Sequence, residues 1–149
     1  MTAKEYLSQI QVMKHKVEEK KRQLEELREL ATAIGSFDYS KDKIVSSPTG
    51  DTLEKKVIKV ADKQTEYVQE IVKYLSIKER IVEEINLVEN ETYRMLLIKR
   101  YAEGKRLEEI SVEMCMTYEW VRHLHGMALQ EFERIRKERT NAKQFEMPD

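Results

Sequence analysis

Apolar residues recur at alternating steps of three and four residues over two long stretches of the chain. In the first stretch they are Ala3, Tyr6, Ile10, Met13, Val17, Leu24, Leu27, Ala31 and Ile34, with Lys20 as the charged member. In the second they are Leu53, Val57, Val60, Tyr67, Ile71, Tyr74, Ile81, Ile85 and Val88, with Gln64 and Lys78 as polar members. This spacing is typical of coiled-coil heptads, so it predicts two long amphipathic helices.

The ends of the two stretches carry helix signals and are separated by a loop. Thr2 and Glu5 have the spacing of a capping box, and Gly35 fits a helix C-terminus. Residues 35–51 break every period, which predicts a loop before a second helix capped by Asp51 or Thr52. Two heptad stripes in series are best satisfied by folding back on each other. Residues 1–90 are therefore predicted to form a long antiparallel helical hairpin, a coiled-coil arm.

The second helix has a wider apolar stripe than one partner helix can cover. Ile58, Val68, Val72 and Leu75 lie beside its heptad positions. We therefore expect a second copy of the chain to pack on the arm and form a homodimer.

After residue 90 the periodic apolar stretches are shorter. Residues 93–101 and 107–114 are predicted to be two short helices, and Thr117 is expected to cap a third that runs to about Arg136. The last residues show no period, which predicts a flexible tail. The expected fold is all-α, with the arm at residues 1–90, a helix-turn-helix domain at 91–137 and the tail at 138–149.

Composition and charge indicate the cellular compartment and limit the classes of partner that are expected. Charged residues make up 37% of the chain, with only 4 Gly and 2 Pro, which favours uninterrupted helices. A formal net charge of -1 gives no global attraction to nucleic acid or to a membrane. The single cysteine fits a reducing compartment, and no stretch reaches the roughly 20 apolar residues of a membrane span. We expect a cytoplasmic protein.

Signals of catalysis are missing from the sequence. It holds no phosphate-binding glycine loop, no nucleophile and base pair and no metal-ligand spacing, so we expect neither an enzyme nor a cofactor. His123 and His125 would point to nearly opposite sides of a helix, which argues against a metal site. His125 falls on the flank of the apolar face, which favours a packed histidine.

Residues 107–124 fit the pattern of apolar positions that is typical of a helix-turn-helix, which we call its mask. Counted from Leu107, positions four, eight, ten, fifteen and eighteen hold Ile110, Met114, Met116, Val121 and Leu124. Ser111 supplies the small residue that is expected where the two helices cross. Cys115 occupies the turn position usually held by glycine, where a left-handed backbone would be mildly costly.

The last predicted helix has an apolar and a polar face. At about 100° per residue, its apolar face holds Val121, Leu124, Ala128 and Phe132. The polar face then resembles a recognition helix, whose N-terminal residues meet base edges in the major groove. Arg122 could donate to guanine N7 and O6, and Glu119 could accept from a cytosine amino group. The predicted DNA-binding residues are Thr117, Tyr118, Glu119, Trp120, Arg122 and His123.

The segment LEEISVEMCMTYEWVRHLHGMALQEFERI, residues 107–135, resembles region 4 of the bacterial primary sigma factors. The earlier LIKRY is similar to that family's LRLRY. The resemblance implies that Thr117 stands in for the cap serine and that the following residues read promoter DNA. Glu119 and Arg122 match the family, whereas arginine is replaced by Tyr118 and Trp120 and glutamine by His123.

With the helical arm in front of it, the chain looks like the phage-encoded sigma-like late regulators of the RinA and ArpU type. This resemblance implies a transcriptional regulator that binds double-stranded promoter DNA, with host RNA polymerase as an expected partner. The family's promoter-melting segment has no counterpart here, which implies an activator or accessory subunit. Two other functions stay open: a small terminase-type DNA-packaging subunit, and a helical scaffold that binds only protein.

Overall fold

The structure, a computed structural model, describes residues 1–35 and 49–146. It contains five α-helices: α1 (Ala3–Gly35), α2 (Thr49–Ile85), α3 (Glu91–Leu97), α4 (Leu107–Glu113) and α5 (Tyr118–Phe145). A π-helical turn, Ile98–Ala102, continues α3. No strand occurs over these two ranges, so the predicted all-α class is confirmed. None of the helices in the described part of the chain is both long and apolar enough to cross a membrane.

The predicted capping box at the start of α1 is confirmed. The Glu5 N–H donates to Thr2 Oγ1 at 3.2 Å, and the Thr2 N–H donates to the Glu5 carboxylate at 2.8 Å. These bonds from Thr2 hold the pKa of Glu5 below its usual value. At the far end, α1 includes Gly35. Residues 36–48, the greater part of the predicted loop, lie outside the described residues.

The start of α2 differs from its prediction by three or four residues. The helix begins at Thr49, so Asp51 and Thr52 lie inside its first turn instead of capping it.

The described chain folds into two compact units. The middle unit contains residues 13–74, and the terminal unit contains residues 1–12 together with the chain from Leu75 onward. Both α1 and α2 contribute residues to each unit. The predicted domain ranges 1–90, 91–137 and 138–149 stay predictions.

In the middle unit, polar contacts join α1 to α2. Lys20 Nζ donates to Glu66 Oε2 at 3.1 Å, and Arg28 donates to the Gln64 side-chain oxygen at 3.4 Å. Apolar burial is much less complete: among the described side chains of this unit, only Leu24 is buried. Most of the predicted heptad residues in this unit are half-buried.

The terminal unit has a closed apolar core. Its fully buried large side chains are Leu7, Ile10, Ile81, Ile85, Val88, Leu96, Leu97, Ile110, Val121 and Phe132. The first turns of α1 and the last turns of α2 therefore pack with α3, α4 and α5. Burying this many large apolar side chains is the main stabilising contribution to the unit.

An aromatic and ionic cluster ties the start of α1 to α5. The rings of Tyr6 and Phe132 stack with centroids 6.2 Å apart, and the Arg136 guanidinium lies 3.6 Å from the centre of the Tyr6 ring. The Tyr6 hydroxyl donates to Glu84 at 2.9 Å, and Arg136 also lies 3.5 Å from Glu84. Burial, followed by the Glu84 carboxylate, raises the pKa of Tyr6.

The last helix extends well beyond its predicted end near Arg136. It continues to Phe145, although the apolar period has stopped. Ion pairs at helical spacing replace the apolar signal: Arg134 lies 2.6 Å from both Glu131 and Glu138, and Lys137 lies 3.2 Å from Glu133. Such pairs support an exposed helix without a core. Residues 138–145, part of the predicted tail, are helical as well.

Candidate nucleic-acid interface

The short helix α3 and the turn after it position the helices that follow. Asn90 caps α3 by accepting the Tyr93 N–H at 3.2 Å, and Leu96 and Leu97 anchor the helix in the core. The π-helical turn ends before Gly104, whose φ is 72°. A Cβ there would come within 2.8 Å of the Gln11 side chain, which itself donates to the Tyr101 carbonyl at 2.9 Å. Glycine therefore allows both the left-handed backbone and this close approach.

The segment between α4 and α5 makes a tight turn with one left-handed residue. The φ of Cys115 is 53°, the only positive φ of a non-glycine residue in the described chain. The Met116 N–H donates to the Ser111 carbonyl at 2.9 Å, which closes the turn onto α4. Ser111 is buried, and its hydroxyl donates to the Glu108 carbonyl at 2.6 Å. The predicted small buried residue and the left-handed residue are both confirmed.

Helix α5 begins with a side-chain cap and buries the predicted face. Thr117 has an extended backbone, and its Oγ1 accepts the Trp120 N–H at 3.2 Å. The buried residues of α5 are Val121, Leu124, Ala128 and Phe132. This is the apolar face predicted from the sequence. Met114 and Met116, the two mask positions next to the turn, are half-buried.

The polar face of α5 is exposed at its N-terminal end. Glu119, Arg122 and His123 line one shallow surface depression. Tyr118 and Trp120 are 41% and 49% exposed. Within the described chain, the Arg122 guanidinium has no hydrogen-bond or ion-pair partner. Its five donors are therefore available to an external ligand.

The six predicted site residues do not all face the same side of α5. Thr117 is engaged in the helix cap. At about 100° per residue, Trp120 lies about 160° from Arg122 around the helix axis, while Tyr118 lies about 40° from it on the side away from Glu119. The Trp120 ring instead rests near His123, with centroids 5.4 Å apart and planes tilted by 31°. The structure thus brings together Glu119, Arg122 and His123, with the two aromatic rings on either side.

Gly126 is also on the exposed face of α5. A Cβ built at this glycine would meet no described protein atom within 4 Å. No other helix of the described chain comes close to this position.

His125 is packed inside the terminal unit, as its position in the sequence favours. Its Nε2 lies 2.8 Å from the Tyr101 hydroxyl, and the two rings stack with centroids 5.7 Å apart. Burial, with a smaller contribution from Arg100 and Lys4, lowers the pKa of His125 to about 4. Burial also raises the pKa of Tyr101 to about 12. At neutral pH the imidazole is neutral and can accept the phenol hydrogen.

A lysine clamp holds the end of α4, and the sequence did not indicate it. The two oxygens of Glu113 each meet a lysine at 2.7 Å, one from Lys99 and one from Lys105. Lys105 lies 3.0 Å from Glu103 as well. Hydrogen bonds from Lys105 and Lys99 lower the pKa of Glu113. The two lysines lie 8 and 14 residues before Glu113 in the chain, so no helical spacing indicates the contacts.

No group of three or more His, Cys, Asp or Glu side chains is placed to hold a metal ion among the residues that the structure describes. No protein-family model, curated protein or solved structure matches the chain. The side chains of α4, α5 and the turn between them therefore carry the functional proposal.

Proposed function

We propose that the chain is a transcriptional regulator that binds promoter DNA, similar to the phage-encoded sigma-like late regulators. In this proposal α4 and α5 form a helix-turn-helix, and the N-terminal half of α5 enters the major groove. The observation that carries it is the division of α5 into two faces. Val121 and Leu124 are buried, while Arg122 between them is exposed and has no partner in the described chain.

Two features of the α4 to α5 turn support the helix-turn-helix. Cys115 has the left-handed backbone that this motif commonly takes in its turn, and Ser111 is small and buried on α4. With Thr117 capping α5, the next residues project from the first turns of the helix. These are the positions from which recognition helices contact base edges.

The contacts within each unit support an antiparallel helical hairpin. In the terminal unit, Tyr6 near the start of α1 bonds to Glu84 near the end of α2. In the middle unit, Lys20 meets Glu66, while Arg28, further along α1, meets Gln64, which is earlier in α2. In the proposed regulator this hairpin is the arm that pairs two copies or contacts host RNA polymerase.

The chemistry of the depression favours a guanine and cytosine contact. The Arg122 guanidinium can donate two parallel hydrogen bonds to guanine N7 and O6, and Glu119 can accept from a cytosine amino group. Glu119 lies about 60° from Arg122 around the axis, so both can face one groove. Because this surface carries one positive and one negative side chain, it has little net attraction for phosphates. We expect it to contribute to the choice of DNA sequence more than to overall affinity.

The surrounding charges predict weak binding by a single copy. Arg134 and Lys137, two of the cations further along α5, are paired with glutamates of the same helix. Residues 93–149 also hold nearly equal numbers of basic and acidic residues. Since phosphate neutralisation provides much of the affinity for DNA, a second copy or RNA polymerase would be needed to hold a promoter.

The test is selection of duplex DNA from a random library, followed by binding titrations of the enriched sequence at fixed salt. Arg122→Ala should weaken binding about 5- to 150-fold and relax the preference at one base pair. Lys137→Ala is the matched control, because it also removes one positive charge from an exposed position of α5. It should weaken binding less than about 3-fold. No enrichment of any sequence, or equal losses in the two variants, would overturn the proposal.

A further inference from the structure

A second heptad row runs along α2 beside the one predicted to face α1. Ile58, Ala61, Thr65, Val68 and Val72 follow each other at alternating steps of three and four residues, and all five are exposed. We call these five residues the α2 stripe. Its three large members, Ile58, Val68 and Val72, are 53%, 51% and 61% exposed. Because this spacing is that of knobs in a coiled coil, the shape of the stripe fits another helix.

The middle unit lacks the buried core that such a partner would supply. Leu24 is its only buried residue among the described side chains of residues 13–74. Val60, Tyr67 and Ile71, on the neighbouring heptad row, are only half-buried. Long helices in water are stabilised mainly by packing of an amphipathic face. Two helices with this little burial are therefore expected to need further helices.

The charges beside the stripe are compatible with self-association. The stripe itself contains no charged residue. At heptad spacing, the positions on either side of its central part hold Asp62 and Gln69 on one side and Gln64 and Ile71 on the other. Two identical surfaces brought together would otherwise face each other with like charges, which is the usual obstacle to a two-fold interface. Here the four flanking positions bring only one charge from each chain, that of Asp62, so little repulsion opposes the pairing of two copies.

We propose that the α2 stripe is the surface on which a second copy of this chain docks, so that two stripes pack against each other in a homodimer. The stripe spans about 20 Å of helix, enough for two heptads of knobs-into-holes contacts. This inference deepens the proposed function, on which its biological purpose rests, because it names the partner that would supply the second DNA contact. The oligomeric state is measured without DNA, so failure of one proposal can be told from failure of the other.

The test is sedimentation velocity of the full chain without DNA, at tens of micromolar. The wild type should have twice the mass of one chain. Val68→Lys should shift the protein to monomer, with the dimer dissociation constant raised at least about 100-fold. The matched control is Leu30→Lys, since Leu30 is 60% exposed but lies on α1, outside the stripe. It should remain a dimer.

A second variant guards against loss of folding in Val68→Lys. Thr65→Ile places an apolar β-branched side chain at a central position of the stripe and should lower the dissociation constant about 10-fold. A monomeric wild type would overturn the inference, as would equal dissociation of Val68→Lys and Leu30→Lys. A ring of about eight or more copies would also overturn the dimer and would favour a packaging subunit over a regulator. A dimer lost only in Val68→Lys, with no DNA bound by any variant, would uphold the stripe and refute the proposed function.

Discussion

Replacing Cys115 with glycine should stabilise the terminal unit. Cys115 has a φ of 53°, a left-handed backbone that costs a residue with a Cβ roughly 1–2 kcal/mol. Its side chain is exposed, so its removal loses little packing. Glycine makes the unfolded chain more flexible, which offsets roughly 0.4–1 kcal/mol of the gain. The expected net effect is an increase of about 0.5–1 kcal/mol in the free energy of unfolding.

The assay is urea unfolding followed by tryptophan fluorescence. The chain has one tryptophan, Trp120, which lies in α5 just after the turn, so the signal reports on the terminal unit. Cys115→Ala is the matched control, because it removes the thiol but keeps the Cβ and should change the free energy by less than about 0.5 kcal/mol. If Cys115→Gly is no more stable than Cys115→Ala, the turn does not hold a left-handed residue at this position, and the geometry between α4 and α5 is wrong.

Two further predictions concern α5. Gly126→Ala should raise the free energy of unfolding by about 1 kcal/mol, because alanine is the better helix former and its Cβ meets no described atom within 4 Å. A lower free energy of unfolding in a urea titration would contradict the open space at this position. The pKa of His125 is lowered to about 4 in the folded protein, so the unfolded chain takes up a proton first as the pH falls below about 6.5. The melting temperature should therefore be highest above that pH and fall towards pH 4. His125→Gln should flatten this decline between pH 6.5 and 5, and an unchanged slope would refute the buried neutral imidazole.

The features that could be predicted from the sequence depend on neighbours along the chain. The capping box of Thr2 and Glu5 needs a spacing of three residues, and the buried face of α5 needs only the helical period. The mask of residues 107–124 located the small buried Ser111 and the left-handed Cys115 for the same reason. Helix ends were less accurate, because α5 continues to Phe145 after its apolar period stops.

The candidate site was only partly predictable. The sequence placed Glu119, Arg122 and His123 on one exposed face, which the helical period is enough to decide. It grouped Trp120 with them, and this ring lies beside His123. The lysine clamp on Glu113 had no signal at all, since its partners come from the turn after α3 and from the segment before α4.

The sequence by itself determined the all-α class, the starts of three of the five described helices and the apolar face of α5, because these properties arise from contacts within about one turn of the chain. Only the tertiary structure decided that Tyr6 and Leu7, at the start of α1, belong to the same packed unit as Phe132 in α5. It also decided that His125 is kept neutral beside Tyr101 and that Arg122 has no partner in the described chain. These outcomes depend on side chains that are far apart in sequence. Which of them come into contact is determined by how the helices pack around a common core.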